Sequence, residues 1–310
     1  MLLNITHETR YEYSPPVETA QHMAHLRPLN LPWQRVMAHA LEISPTPAQQ
    51  SETSDVYGNT RAFFSLQGVH EELVVVARST VVTTDPPQPR GSLPWEQVRE
   101  RFRYHAGGDY DAAAEFVFAS PYVPRHENFA SYARPSFTAG TPVLMAARDL
   151  MDRIHTDFTY ETDSTEVNTP ALEALAQRKG VCQDFAHIMV ASLRAMGLAA
   201  RYVSGYLLTE PPPGQPRLVG SDASHAWVSV YVPDELGRGT WCDLDPTNNR
   251  APGEDYVTLA IGRDYSDVSP MRGVIHGGAN HTLHVGVTVE PVNETATEPA
   301  APTSSEEVKP

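Results

Sequence analysis

Cysteine is almost missing from this chain: Cys182 and Cys242 are the only thiols in 310 residues. Two cysteines cannot build a four-ligand thiolate zinc site. A structural disulfide would need an oxidising compartment, for which nothing in the chain argues, so free thiols are expected. Positive charge is also scarce, with 23 Lys and Arg against 38 Asp and Glu and a net charge of −15. No basic run offsets that excess, which argues against nucleic acid or an anionic membrane as partner, because phosphates repel such a surface. No apolar stretch approaches the ~18 residues of a membrane-spanning helix. The opening MLLNITHETRYEYSPP lacks a basic segment followed by a continuous apolar one, so a cytoplasmic protein is expected. Internal repeats are absent, and Gly277-Gly278 is a turn rather than a phosphate loop, since no Lys-Ser/Thr follows.

What is present suits a globular protein. Hydrophobic residues make up 41% of the chain and charged residues 20%, enough to form real cores. The 27 prolines favour loops and sheet-edge turns over a helix bundle. Residues 1–88 read as an all-β, sandwich-like domain. LLNITHETRYEY alternates with Ile5, Thr9, Tyr11 and Tyr13 suited to strands, and Ser14-Pro15-Pro16 is expected to end that run. Tyr57-Gly58-Asn59 marks a hairpin turn, and ELVVVARSTVVTT is rich in β-branched residues. DPPQPRGSLP, residues 85–94, is the candidate linker.

A second domain, residues 89–291, begins with helical patterns. In TPVLMAARDLMDRIH, residues 141–155, Val143, Leu144, Ala147, Leu150, Met151 and Ile154 fall at helical spacing. Thr141 is expected as N-cap, with Pro142 at the first helical position. TPALEALAQRK (169–179) should form a short helix stopped by Gly180. The longer helix VCQDFAHIMVASLRAMG follows, with Val181, Phe185, Ile188, Met189, Ser192, Leu193 and Met196 as its buried stripe. Strand patterns return in ARYVSGYLL, HAWVSVYV and TWCDLDP, and a last pair is expected in HTLHVGVTVEPV. Helices packed on one side of an antiparallel sheet make this an α+β fold. Residues 292–310 cannot bury enough apolar surface to offset chain entropy and are expected to be disordered.

Cys182 stands at the start of the long helix, where backbone N–H groups and the helix dipole favour negative charge, and the thiolate is the reactive form of cysteine. His225 opens the strand HAWVSVYV. Asp245 ends TWCDLD, two residues beyond Asp243 and on the same strand face. Taken singly, each has an ordinary explanation: a small buried hydrophobe, an edge histidine, a turn-starting aspartate. Together they supply a nucleophile, a base and a group to orient the base. Strands about 4.8 Å apart put histidine and aspartate within reach of each other.

The blocks GVCQDFAH, LRAMGLAARYVSGYL, HAWVSVYVP and WCDLDPTNN, in that order, resemble the bacterial transglutaminase-like proteins, often described as cysteine proteases. GRDYSDVSPMRGVIHGGANHTLHVGVTV continues the resemblance. ITHETRYEYSPPV, HLRPLN and DVYGNTRAFFSL are similar to the small β-domain that precedes the core in that family. The resemblance implies a papain-like/transglutaminase-like core with Cys182 as nucleophile, His225 as general base and Asp245 as its orienting aspartate. It implies chemistry on a protein or peptide substrate carrying glutamine or another amide, through a thioester acyl-enzyme, with no cofactor. Hydrolysis and acyl transfer both remain open, and a catalytically silent binding or scaffolding protein is the alternative.

The Cys182 backbone N–H is the natural oxyanion donor, with Gln183 and Tyr160 as candidates for a second. Asp184 and His187 share a helix face, where they either line the cleft or, the favoured role, brace the helix start. Trp227 is expected to pack behind His225, and Cys242 to be buried and inert. His276, His281 and His284 lack carboxylate or cysteine partners at ligand spacing, so no metal is expected. TEPPPGQPRLVG (209–220) could form a flap over the cleft.

Overall fold

The computed structural model describes residues 1–89, 91–103, 106, 111–162, 168–209, 224–234, 238–278 and 280–292. Beyond its first residue, the expected flap at 209–220 lies outside the described residues, and so does the expected disordered tail at 292–310.

The alternating N-terminal sequence forms β1 (Leu2–Ala24), followed by β2 (Gln34–Ser44), β3 (Gln49–Ser54), β4 (Thr60–Leu66) and β5 (His70–Thr83). Leu3, Ile5, His7 and Thr9 point inward along β1, as a period of two requires. Ser14-Pro15-Pro16 does not end β1 as expected. Pairing with β5 jumps from Glu12↔Glu72 to Val17↔His70, and the strand then continues beside β4. Prolines remove N–H donors from a ladder without forcing the chain out of extended backbone. Beyond this break the inward positions become Ala20, His22 and Ala24, so the buried parity has changed. The sheet therefore folds over, and side chains of β1, β4 and β5 share one core around Phe64, Leu73 and Val75.

The second half begins with α1 (Trp95–Arg101), α2 (Glu127–Ala133) and α3 (Val143–Asp157). Pro142, not Thr141, takes the N-cap position of α3, and Thr141 instead bonds its hydroxyl to that of Thr138. Then come β6 (Thr159–Tyr160), α4 (Ala171–Gln177), β7 (Lys179–Gly180) and α5 (Cys182–Ala195). α4 ends on Arg178 in the left-handed region (φ 56°), two residues before the expected stop at Gly180. Its guanidinium lies over the Tyr132 and Phe158 rings, which holds the residue there. β8 (Ala200–Leu207), β9 (Ser224–Pro233), β10 (Gly239–Leu244) and β11 (Tyr256–Gly262) form an antiparallel sheet in the order β10-β9-β8-β11.

Every residue of α5 from Asp184 to Arg194 is buried, beyond the expected stripe, whose end residues Val181 and Met196 are only half-buried. The helix lies on β8 and β9 while α2, α3 and α4 cover its other side. Such a helix is core all round, and each of Phe185, Ile188 and Met189 gains about 1.5–3 kcal/mol from burial.

After α6 (Tyr265–Val268), the chain returns to the first sheet. β12 (Met271–Gly277) pairs with Val17–Ala24 of β1, and β13 (Asn280–Pro291) pairs with Leu3–Ser14. The division expected at residues 88 and 291 is crossed by this return, because β12 and β13 complete the N-terminal sheet. The two halves meet through Leu3, Ile5 and Val81 against Tyr206, Val257 and Leu259. Two buried amides tie the contact. Gln34 Oε1 accepts the Thr258 N–H at 2.7 Å and its Nε2 donates to the Thr258 carbonyl at 2.8 Å. Asn59 does the same with both backbone groups of Ile261, at 2.8 and 2.7 Å. These side chains satisfy the edge of β11 where, among the described residues, no further strand pairs.

Candidate active site

Cys182 is the first residue of α5, and Val181 before it is extended. The turn into the helix is braced by Asp184, whose Oδ2 accepts the Val181 N–H at 2.8 Å. A Cβ on Gly180 would come within 2.6 Å of that oxygen, so the position needs glycine. Of the two expected roles for Asp184, bracing is the one its geometry serves. As a buried carboxylate accepting a backbone bond, it does not supply an oxyanion donor. The Cys182 N–H is one of the first-turn donors that a helix leaves without an internal partner.

His225 comes from the start of β9 opposite Gly205 of β8, and Asp245 from the residue after β10. Beside Gly205, a Cβ would strike the Val257 carbonyl and the Trp227 indole. Glycine there lets the fully buried Trp227 lie under the sheet, behind His225. His225 Nε2–H donates to Asp245 Oδ2 at 2.7 Å. That leaves Nδ1 for Cys182, which is also in hydrogen-bond contact with the ring. Burial alone would lower the imidazole's pKa. The Asp245 hydrogen bond, the Cys182 bond and the negative charge on both partners together raise it to about 10.

Asp245 is fully buried. Burial would raise its carboxyl, but hydrogen bonds from His225, Asn248 and Tyr256 hold it below the usual carboxylate range. Asn248 Nδ2 and the Tyr256 hydroxyl each reach Oδ2 at 2.7 Å. The backbone N–H groups of Thr247 and Asn248 reach Oδ1 at 2.8 and 3.3 Å. The Arg250 guanidinium lies over the Tyr256 ring, 4.6 Å from its centroid. Sequence reasoning missed Asn248 and Tyr256. Asn248 sits inside the Asp245-Pro246-Thr247-Asn248 turn, a visible signal. Tyr256 lies eleven residues downstream on another strand and had none. Asp243, the other aspartate of that strand, accepts the Trp227 indole N–H at 3.0 Å instead.

Tyr160 is exposed on β6, edge-on to Phe185. Its hydroxyl pKa is raised, first by burial and then by the Coulomb effects of Cys182 and Asp184. Gln183 is half-buried in the first turn of α5. His187 faces away from this group, stacked on Tyr122, and its Nε2 accepts the Tyr265 N–H at 3.2 Å. Burial lowers its pKa to about 4, so it stays neutral. Cys242 is buried, and burial pushes its thiol up to about 12. Neither cysteine is in a disulfide. His276 lies 3.4 Å from Glu18, and His281 stands beside Tyr11 and Tyr13.

A helix-terminal thiol facing a histidine and an aspartate on an antiparallel sheet defines a papain-like α+β core. The chain belongs to the transglutaminase-like superfamily. Residues 130–246 match the "Transglutaminase-like superfamily" description, and residues 3–82 match "Bacterial transglutaminase-like N-terminal region". An uncharacterized protein of Mycobacterium tuberculosis is 42% identical over 294 residues, 93% of this chain and 92% of its own. One from Mycobacterium leprae is 31% identical over 93% of this chain and 98% of its own. The solved structure of a "putative cysteine protease" from Cytophaga hutchinsonii shares the fold, with a TM-score of 0.71 at 22% identity over 95% of this chain and 92% of that one. No helix among the described residues is long and apolar enough to cross a membrane.

Proposed function

We propose that the protein is a cysteine-dependent, amide-processing enzyme acting on protein or peptide substrates, with Cys182, His225 and Asp245 as its triad. One observation supports this above the rest: a single imidazole sits 2.7 Å from a buried carboxylate on one side and in hydrogen-bond contact with Cys182 on the other. With its raised pKa, His225 is protonated at neutral pH, and its ring is in hydrogen-bond contact with Cys182.

In the proposed reaction, the sulfur attacks an amide carbonyl, and the carbonyl electrons move to oxygen, near the Cys182 N–H. Collapse of this adduct breaks the C–N bond as the imidazolium gives its proton to the departing nitrogen. Ammonia or an amine leaves and a thioester remains. The neutral imidazole then takes a proton from water or from an amine, whose attack releases acid or new amide and restores the sulfur. Asp245 holds Nε2–H throughout, keeping Nδ1 toward the reaction. A reducing, cytoplasmic setting suits this chemistry, because it keeps Cys182 reduced.

The test is covalent labelling followed by substrate turnover. Iodoacetamide at neutral pH is expected to modify Cys182 stoichiometrically and faster than the same thiol in urea, leaving Cys242 untouched. A mixture of glutamine-bearing and amine-bearing peptides, followed by mass spectrometry, would reveal cleavage, deamidation or crosslinking, all lost in Cys182→Ala. Labelling no faster than in urea would refute the activated nucleophile. Fast labelling with no turnover on any substrate would favour a binding role instead.

A further inference from the structure

A cavity of about 770 Å³ opens at the far end of α5 from Cys182, beside Ala195, Met196 and Gly197. The fourteen residues of α5 separate the two places by about 20 Å. In the chain as a whole, acidic residues outnumber basic ones by 38 to 23. This cavity reverses that balance: among the described residues, Arg99, Arg103, Arg125 and Arg134 line it with one carboxylate, Glu127. Glu127 is already paired with Arg134, and Arg103 with Glu100 at 3.1 Å. Arg99 and Arg125 have no carboxylate partner among the described residues.

Arg99 is held in place without an anion. Its guanidinium lies 4.8 Å from the centroid of the Trp95 ring, and a Cβ on Gly197 would meet its Cγ at 2.8 Å. Its Nε is buried with no hydrogen-bond partner, which leaves a desolvated donor unsatisfied. A planar guanidinium fixed by stacking loses little freedom on gripping a carboxylate or phosphate. The rest of the lining is apolar, including Trp95, Phe102, Phe118, Phe137 and Met196, and the volume suits a small organic molecule.

We propose that this cavity binds an amphipathic anion: a carboxylate or phosphate monoester on an aromatic or short aliphatic body. The anionic group sits against Arg99 and Arg125, and the body lies along Trp95 and Phe137. This site is independent of the triad.

Four probes test it by calorimetry on the full chain at low salt: phenylacetate, phenyl phosphate, neutral phenylacetamide and inorganic phosphate. One or both aryl anions are expected to bind saturably, at least about 10-fold tighter than phenylacetamide or inorganic phosphate. The better of the two identifies the headgroup. Arg99→Gln and the exposed Arg125→Gln should each weaken that probe by about 10-fold, while Glu127→Gln should not weaken it. Equal binding of phenylacetamide, inorganic phosphate matching the aryl anions, no binding by any probe, or unchanged affinity in Arg125→Gln would overturn the site.

Discussion

Five hydrogen bonds converge on Asp245, more than an orienting carboxylate needs to hold one imidazole. Their effect is to keep it ionised while buried, and that charge in turn raises His225. His225 therefore stabilises the fold fully below the ordinary histidine value of 6.5, and this stabilisation is lost as the pH rises toward about 10. For Asp245 the sign is opposite: its contribution is present above the ordinary 3.8 and lost as the pH falls through its lowered folded value. An NMR titration is expected to find His225 still protonated at pH 8, and in Asp245→Asn its midpoint should move back toward 6.5. Tyr256→Phe removes one donor from the carboxylate and should cost about 1.5–3 kcal/mol of stability at neutral pH. The loss should narrow in acid, where Asp245 is protonated in both proteins. A denaturant series across pH checks both the size and the narrowing, and a pH-independent difference would mean that Tyr256 acts by packing alone.

The start of α5 depends on one local brace. Asp184→Ala would free the Val181 N–H and should cost about 1 kcal/mol, as loss of a helix-start partner does, with Asp184→Asn recovering most of it. Thermal unfolding measures the cost, and the labelling rate of Cys182 reports whether the thiol has moved. Gly180→Ala should be far worse, because its Cβ meets the same carboxylate. Along β11, the two amides from the N-terminal half act as a substitute strand. Asn59→Ala would leave the buried Ile261 N–H and carbonyl without those bonds, at a cost of about 2–4 kcal/mol. Chemical denaturation is expected to show this loss in full, and a change below 0.5 kcal/mol, the range of a surface substitution, would mean that water replaces the amide.

At the scale of the whole molecule, the N-terminal sheet is built from both ends of the chain. β1 has β13 and β12 along one side, so a chain truncated after Ser269 should lose cooperative unfolding of this sheet and expose Leu3 and Ile5. Soluble, cooperatively folding truncated protein would show that β4 and β5 suffice. Local patterning made much of the architecture legible: the alternation of β1, the helical spacing of α3 and α5, the Tyr57-Gly58-Asn59 turn, and the order of the Cys182, His225 and Asp245 blocks. The first three follow from period, propensity and turn chemistry, which act over a few neighbouring residues, and the triad blocks from their resemblance to the transglutaminase-like family. Tertiary structure alone decided what depends on distant segments meeting. It brought Tyr256 to the carboxylate, carried β1 past its prolines, wrapped α5 on all sides and returned β12 and β13 to the first sheet. Such contacts depend on the packing of separate elements, and no local period in the chain encodes them.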